Sequence, residues 1–209
     1  MIFSEVLTRL ETALPGDLPG AAAHALVAPR PARQWPPGFH REHIRPAAGL
    51  LLLFPRENRA HILLTVRAEQ LGRHGGQVSL PGGVVEPGES IVQAALREAH
   101  EEVGLPVKNV RVLGALTPLD IPVSGFRLHP IVAALPQRPS LVPADGEVAR
   151  IVDVSLDDLL DSSRIKSAER IHDGRAIVVP AFHVGGVEIW GATAMVLSEF
   201  LVLLGWKHS

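Results

Sequence analysis

The 209-residue sequence contains no cysteine and no tyrosine, and aromatic residues make up only 4% of it. Without cysteine there are no disulfides, no thiolate metal sites and no cysteine nucleophile, which fits a cytoplasmic protein. The formal net charge is −2, so bulk electrostatics gives no support for nucleic acid or an anionic membrane as partner. The longest apolar runs, residues 47–55 and 195–204, are too short to span a bilayer, and the second contains Glu199. We therefore expect a soluble protein.

Hydrophobic residues make up 46% of the chain, which is enough for one well-packed domain with an extra arm. Residues 1–16 have the apolar spacing of a helix, and residues 17–46 are rich in proline, alanine and arginine. We predict a helix and an arm over residues 1–46 and one domain over residues 47–209. The arm either is loose or packs on the domain or on a second subunit through Trp35 and Phe39.

Short apolar runs alternate with polar turns and three further helical patterns. The predicted strands cover residues 47–54, 61–67, 78–80, 110–116, 127–135 and 147–154, with a hairpin over 176–189 that turns at Gly185 and Gly186. The predicted helices cover residues 90–103, 156–160 and 192–204. This order predicts an α/β fold with a mixed sheet flanked by helices.

The helix over residues 90–103 carries local start and stop signals and a ridge of acidic side chains. Ser90 and Gln93 form the pattern of a capping box, and Gly104 is a C-terminal stop. Three glutamates fall within an arc of roughly 100° on one edge of the helix: Glu98, Glu101 and Glu102. Because like charges at this spacing repel, we expect a cation there. In a chain without cysteine, clustered carboxylates suit a hard cation, Mg²⁺ or Mn²⁺, which can bind a diphosphate.

Residues 83–105 resemble the Nudix box. Seven residues fill all of its fixed positions: Gly83, Glu89, Arg97, Glu98, Glu101, Glu102 and Gly104. The resemblance implies the Nudix fold, an α/β/α sandwich with a mixed β-sheet, and makes residues 47–209 a Nudix hydrolase domain. It also implies metal-dependent hydrolysis of a nucleoside diphosphate linked to another moiety. Without the resemblance, the three glutamates would be better explained as a solvated acidic face with an ordinary i, i+4 pair between Arg97 and Glu101.

The resemblance also implies roles for individual residues. Glu98, Glu101 and Glu102 would bind Mg²⁺ or Mn²⁺, and the carbonyl oxygen of Gly83 would be a further ligand. Glu89 and Arg97 would brace the loop against the helix. The predicted catalytic residues are therefore Glu102, Glu101, Arg97, Glu89 and Glu147. The general base is either a box glutamate or Glu147, which is equally well explained as the start of a strand.

The stretch just before the box is similar to an additional motif of the coenzyme A pyrophosphatases within the Nudix family. It places four predicted substrate-binding residues close to the box: Arg67, Arg73, His74 and Gly82. Residues 117–126 and 189–194 also resemble that subfamily, whereas Gly72 and Leu80 depart from its usual arginine and phenylalanine. The implied substrate is coenzyme A or a derivative, cleaved to 3′,5′-ADP and 4′-phosphopantetheine or its acyl form.

Other functions stay open at this point. Pro118 and Pro122 lie a short way past the box, as in the ADP-ribose class of the family, so hydrolysis of ADP-ribose or of another nucleotide sugar or dinucleotide is the alternative. A non-catalytic, ligand-sensing Nudix domain is a more remote one, because such domains usually lack one or more box glutamates. Dimerisation is compatible with the fold, and the apolar C-terminal helix and the arm are the candidate surfaces for a homodimer.

Overall fold

The computed structural model describes residues 1–69, 75–172 and 175–207. The helices are α1 (Phe3–Ala13), α2 (Gly20–His24), α3 (Ile91–Val103), α4 (Leu156–Leu160) and α5 (Gly191–Leu203). The strands are β1 (Arg45–Arg56), β2 (Arg59–Arg67), β3 (Val78–Ser79), β4 (Gly82–Val84), β5 (Arg111–Ala115), β6 (Leu119–Ile121), β7 (Phe126–Ala134), β8 (Val148–Ser155), β9 (Ile165–His172), β10 (Arg175–Val184) and β11 (Val187–Trp190).

The main sheet is mixed, as the sequence predicts. Its strand order is β3-β2-β1-β7-β5, with β4 also paired to β1, β6 to β7 and β8 to β2. Only β1 and β7 run parallel, from the pair Arg45–Phe126 to the pair Leu53–Ala134, and the other pairs are antiparallel. A second sheet has the order β11-β10-β9. The predicted α/β architecture is confirmed.

Strand β1 is apolar at every central position because both of its faces are covered. Leu50, Leu52 and Phe54 pack with the apolar side of α3 on one face of the sheet. Leu51 and Leu53 pack on the opposite face with residues of α1 and α5. All five side chains are fully buried, which is typical of a strand between two helical layers. The short strand β4 pairs with the first residues of β1. Helix α3, which packs on β1, therefore also contacts β4.

The predicted elements match the structure to within a few residues, but four elements were missed. Helix α2 lies inside the stretch predicted to be an arm, and β4 and β6 lie in stretches predicted to be turns. Strand β9 (Ile165–His172) contains mostly polar residues, and it forms through its pairing with β10 rather than through an apolar pattern of its own.

The N-terminal segment packs on the rest of the chain. Val6 and Leu10 of α1 are fully buried in the core, and α2 packs against α5. Trp35 stacks on Phe39 with 4.6 Å between ring centroids, and Phe39 lies against Gly125. A division between residues 1–46 and 47–209 stays a prediction, as does a homodimer. No helix within the described ranges is long and apolar enough to cross a membrane.

Candidate active site

Helix α3 has the boundaries that its sequence signals predict. The side-chain hydroxyl of Ser90 accepts a hydrogen bond from the amide of Gln93 (3.3 Å), and the amide of Ser90 donates to the Gln93 side chain (2.8 Å). Gly104 ends the helix in the left-handed conformation, with φ of 64°. These two caps fix where the helix begins and ends, so its acidic edge faces β4.

Gly82 and Gly83 bring the backbone of β4 unusually close to its neighbours. A Cβ atom on Gly83 would lie 2.4 Å from Oε1 of Glu98, and one on Gly82 would lie 2.2 Å from the carbonyl oxygen of Ala48. Both distances are far below van der Waals contact. Only glycine at position 83 lets the carboxylate of Glu98 lie against the strand.

A cavity of about 470 Å³ lies between β4, the edge of α3 and the adjoining ends of β2 and β8. Its wall includes six of the residues that the sequence singles out: Arg67, Gly82, Gly83, Glu98, Glu102 and Glu147. Arg67 ends β2, and Glu147 immediately precedes β8. The pairing of β2 with β8 brings Arg67 and Glu147 together, because Arg67 pairs with Val148, the residue that follows Glu147. With Glu86, which also lines it, the cavity combines four carboxylates, one guanidinium and a glycine strand.

Glu102 is the most buried of these carboxylates, with only 6% of the residue exposed. Burial raises the pKa of Glu102 to about 7, against the opposing effects of a hydrogen bond from the amide of Gly82 (3.3 Å) and of the nearby charge of Arg67. The guanidinium of Arg67 lies 3.8 Å from the Glu102 carboxylate. Burial also raises the pKa of Glu98, although Arg97 opposes this shift. Both carboxylates are therefore incompletely neutralised by the groups around them.

Arg97 joins the loop to the helix through the hydrogen bonds of its guanidinium. Its guanidinium donates to both carboxylate oxygens of Glu89, at 2.8 and 3.1 Å, and to the carbonyl oxygen of Val84 at 3.0 Å. The hydrogen bond from Arg97 lowers the pKa of Glu89. Glu89 also accepts from the amide of Glu86 at 2.7 Å, which closes the loop that leads into α3.

The sequence model of the NUDIX domain matches residues 43–174, which include β4, the loop and all of α3. The chain belongs to the Nudix hydrolase family. Two bacterial relatives carry the name "Uncharacterized Nudix hydrolase NudL". The one from Enterobacter sp. (strain 638) is 35% identical over 78% of this chain and 85% of its own length. The one from Pectobacterium atrosepticum is 34% identical over 79% of this chain and 86% of its own length.

The solved structure of the MutT protein from Methanosarcina mazei Go1 matches this Nudix chain with a TM-score of 0.51. It is 19% identical, and the match covers 78% of this chain and 96% of that one. At this level of identity the match shows a common fold and nothing about substrate.

The donors around the Nudix cavity fit a hard divalent cation. Glu98 and Glu102 offer carboxylate oxygens beside the backbone of Gly83, and their raised pKa values show that a further positive charge would be favourable. Across residues 1–69, 75–172 and 175–207, however, no group of three or more histidine or acidic side chains forms a preassembled metal site. In this arrangement Arg97 donates a hydrogen bond of 2.9 Å to one oxygen of Glu98 and another of 2.9 Å to one oxygen of Glu101.

The structure does not bring every predicted residue to the cavity. The carboxylate of Glu101 is half exposed and hydrogen-bonded to Arg97, outside the cavity wall. Arg73 and His74 lie outside the described residues. The sequence did not predict the rest of the cavity wall, residues 84–87. These residues lie at the cavity because β4 pairs with β1. No sequence signal distinguishes these residues from an ordinary turn.

Alanine substitutions of the two glycines should have different effects: Gly83→Ala should reduce activity, and Gly82→Ala should reduce stability. In Gly83→Ala the atoms nearest to the new methyl group belong to the end of the flexible Glu98 side chain. We therefore expect a folded protein whose Glu98 carboxylate is displaced by about 1 Å, with a loss of activity on the order of 10²-fold. In Gly82→Ala the methyl group meets backbone atoms of Ala48 and Gly49, which cannot move away. We expect this variant to lose about 1–3 kcal/mol of stability.

Thermal melting and initial rates of the two variants would test this contrast. If Gly83→Ala kept wild-type activity, the close approach of Glu98 to β4 would have no part in catalysis.

Proposed function

We propose that this protein is a metal-dependent pyrophosphohydrolase that cleaves the diphosphate of a nucleotide, with coenzyme A or a derivative as its substrate. The observation that carries the proposal is the convergence of Glu98, Glu102 and Glu147 with Arg67 around one cavity beside the glycine strand β4. Phosphoryl transfer asks a protein mainly for positioning and electrostatic stabilisation, and a cavity of this composition supplies both.

Glu98 and Glu102 would hold Mg²⁺ or Mn²⁺ with the carbonyl oxygen of Gly83, and Glu101 would join them once released from Arg97. When bound, such a cation spreads the charge of a diphosphate and lowers the pKa of a coordinated water. Arg67, whose guanidinium lines the cavity 3.8 Å from the carboxylate of Glu102, would bind a diphosphate oxygen next to the cation.

Two carboxylates are candidates for the general base that removes a proton from the attacking water. Glu102 has a pKa near 7 in the metal-free protein, which is suitable for proton transfer at neutral pH, but its burial and its bond to Gly82 favour a role as ligand. Glu147 is exposed at the rim of the same cavity. A ligand and a base can therefore come from different elements, α3 and the start of β8.

Support for coenzyme A comes from the stretch before the box. Arg67, which belongs to that stretch, lines the cavity. Strand β3, at the end of the stretch, is held by a hydrogen bond of 2.9 Å from the hydroxyl of Thr193 to the carbonyl oxygen of Val78. Thr193 belongs to the second stretch that resembles the coenzyme A pyrophosphatases, so two of the subfamily-like segments are in direct contact. Coenzyme A also carries a 3′-phosphate, which suits Arg67, Arg73 and His74, the cationic or potentially cationic residues close to the box in sequence.

Parallel assays with coenzyme A and ADP-ribose would test the substrate. With Mg²⁺ or Mn²⁺ we expect coenzyme A to yield 3′,5′-ADP and 4′-phosphopantetheine, with a kcat/KM at least about tenfold above that for ADP-ribose. Arg67→Gln should raise KM for coenzyme A, while a matched surface variant, Arg150→Gln, should leave it unchanged. Cleavage of ADP-ribose without cleavage of coenzyme A would show that the subfamily is wrong and the reaction class right.

A further inference from the structure

The guanidinium of Arg97 makes more contacts than a brace requires. All five of its N–H groups donate: Nε and Nη2 to Glu89, Nη2 also to Val84, and Nη1 to Glu98 and Glu101. The contacts with Glu89 and Val84 are sufficient to join the loop to the helix. The two contacts of Nη1 serve another purpose, because they reach the carboxylates proposed to bind the cation.

Nη1 takes one oxygen of each carboxylate at 2.9 Å, Oε1 of Glu98 and Oε2 of Glu101. The carboxylate of Glu102 makes no hydrogen bond with Arg97 and is held instead by the amide of Gly82. Two of the three carboxylates on this edge of α3 thus share the Arg97 guanidinium, whereas Glu102 lies 3.8 Å from the guanidinium of a different residue, Arg67. The like charges at three- and four-residue spacing, which the sequence alone would leave repelling one another, are in this way compensated within the helix.

We infer that Arg97 is a built-in competitor for the metal site: its Nη1 occupies Glu98 and Glu101 in the metal-free protein and must give them up when Mg²⁺ or Mn²⁺ binds. This inference rests on the proposed metal-dependent function, and it adds a role for Arg97 that a brace does not have. The other three N–H groups can stay on Glu89 and Val84 during the exchange, because they belong to Nε and Nη2. The loop therefore stays in place while the ligands are released.

The two roles of Arg97, as a competitor and as a brace, predict opposite effects of its removal on metal binding by the substrate-free protein. If Arg97 mainly positions Glu98 for the metal, its removal weakens metal binding. If Arg97 competes for the carboxylates, its removal strengthens metal binding, because neither hydrogen bond has to be broken and one positive charge near the cation is gone. Since Glu101 is half exposed, only part of this gain is expected, and we predict a decrease in Kd of about tenfold in Arg97→Gln.

The test is direct titration of the substrate-free protein with Mn²⁺, with free Mn²⁺ counted by electron paramagnetic resonance. Arg97→Gln should bind Mn²⁺ about tenfold more tightly than the wild type, and at the same time hydrolyse substrate more slowly because the brace is lost. Glu89→Gln is the matched control, since it weakens the brace and leaves both contacts of Nη1 in place. Its Kd for Mn²⁺ should be no lower than that of the wild type.

An equal or higher Kd in folded Arg97→Gln would overturn the inference. If that variant fails to fold, Arg97→Lys replaces it. An ammonium group cannot bridge two carboxylates and a carbonyl in the same fixed geometry, so a smaller decrease in Kd is expected, and no decrease would overturn the inference. Failure of the proposed function has a different signature: the wild type would bind no Mn²⁺ or would cleave no diphosphate. If the wild type binds Mn²⁺ and hydrolyses substrate normally but the Arg97 variants bind Mn²⁺ no more tightly, only the inference that Arg97 competes with the metal is overturned.

Discussion

Glu102→Gln should reduce metal-dependent hydrolysis of any diphosphate substrate by about 10²–10⁴-fold. Glu102 is the most buried of the three glutamates on the edge of α3, and among them it is the one whose carboxylate accepts no hydrogen bond from Arg97 in the described structure. It is therefore the carboxylate most available to a cation. A glutamine of nearly the same shape keeps one oxygen but loses the charge, so the loss should appear in kcat and in Mn²⁺ affinity together.

The size of this loss can be separated from an effect on folding. Glu169→Gln is the matched control, because Glu169 is exposed on β9 and belongs to no part of the site. It removes the same charge and should leave hydrolysis unchanged. Retention of more than about a tenth of wild-type activity in Glu102→Gln would contradict the assignment of Glu102 as a ligand or base. Absence of metal-dependent turnover in the wild type, by contrast, would favour a ligand-sensing role over catalysis.

The same variant has a second expected effect, on the stability of the metal-free protein. The pKa of Glu102 rises from 4.5 to about 7 on folding, so between these values the folded form binds more protons than the unfolded chain. The stability of the metal-free wild type should therefore fall as pH rises from about 5 to 8, by on the order of 3 kcal/mol at most. Glu102→Gln lacks this dependence and should melt at a higher temperature than the wild type above pH 7. Added Mn²⁺ should reverse that order.

The parts of the site that could be predicted from sequence are those built from local interactions. Helix α3 carries its own capping box, its own stop at Gly104 and its apolar stripe within fourteen positions, and all of these form as predicted. The acidic edge follows from helical geometry alone. The contact of Arg97 with Glu101 is an i, i+4 pair that sequence spacing also predicts.

The parts that could not be predicted depend on which strands pair. Strand β4 has two glycines in three residues and a poor propensity for strand, and it forms because β1 supplies hydrogen-bonding partners. Glu147 was equally well explained as the start of a strand until the pairing of β2 with β8 placed it at the cavity. The register of a sheet is set by the whole fold, so the residues that it brings together have no common signal in the sequence.

A buried carboxylate far from the cavity illustrates the same limit. Glu199 lies in the apolar helix α5 with no exposed surface. Its oxygens accept from the amides of Gly20 (3.0 Å) and Thr117 (3.1 Å), from the Thr117 hydroxyl (2.6 Å), and lie 3.0 Å from Nε2 of His24. These partners are 82 to 179 positions away in sequence. A glutamate within an apolar helix indicates that a partner exists, but not which one.

Glu199→Ala should therefore destabilise the protein by about 3–5 kcal/mol, which for a chain of this size corresponds to a decrease in Tm of about 6–20 °C. The substitution leaves two backbone amides, one hydroxyl and His24 without their acceptor in the interior, and each unsatisfied group adds its own desolvation penalty. It also removes the hydrogen bonds by which α5 holds two other parts of the chain. These are helix α2, through Gly20 and His24, and the segment before β6, through Thr117. Denaturant unfolding with a Glu188→Ala control would measure the difference, because Glu188 forms a partly exposed pair with Arg170 and its loss should cost no more than about 1 kcal/mol.

The pH dependence of the stability difference between the wild type and Glu199→Ala should show whether the ionised carboxylate of Glu199 provides the stabilisation. Burial raises the pKa of Glu199, but the hydrogen bonds from His24, Thr117 and Gly20 outweigh it, so the net pKa lies below the ordinary value of 4.5. The folded form then holds fewer protons than the unfolded chain at acid pH, and the stabilisation is complete above about pH 4.5 and lost as pH falls through the folded pKa. The stability gap between the wild type and Glu199→Ala should thus be constant near neutrality and shrink on acidification. A gap that widened on acidification would show that Glu199 is protonated in the folded protein and that its four partners do not stabilise a charge.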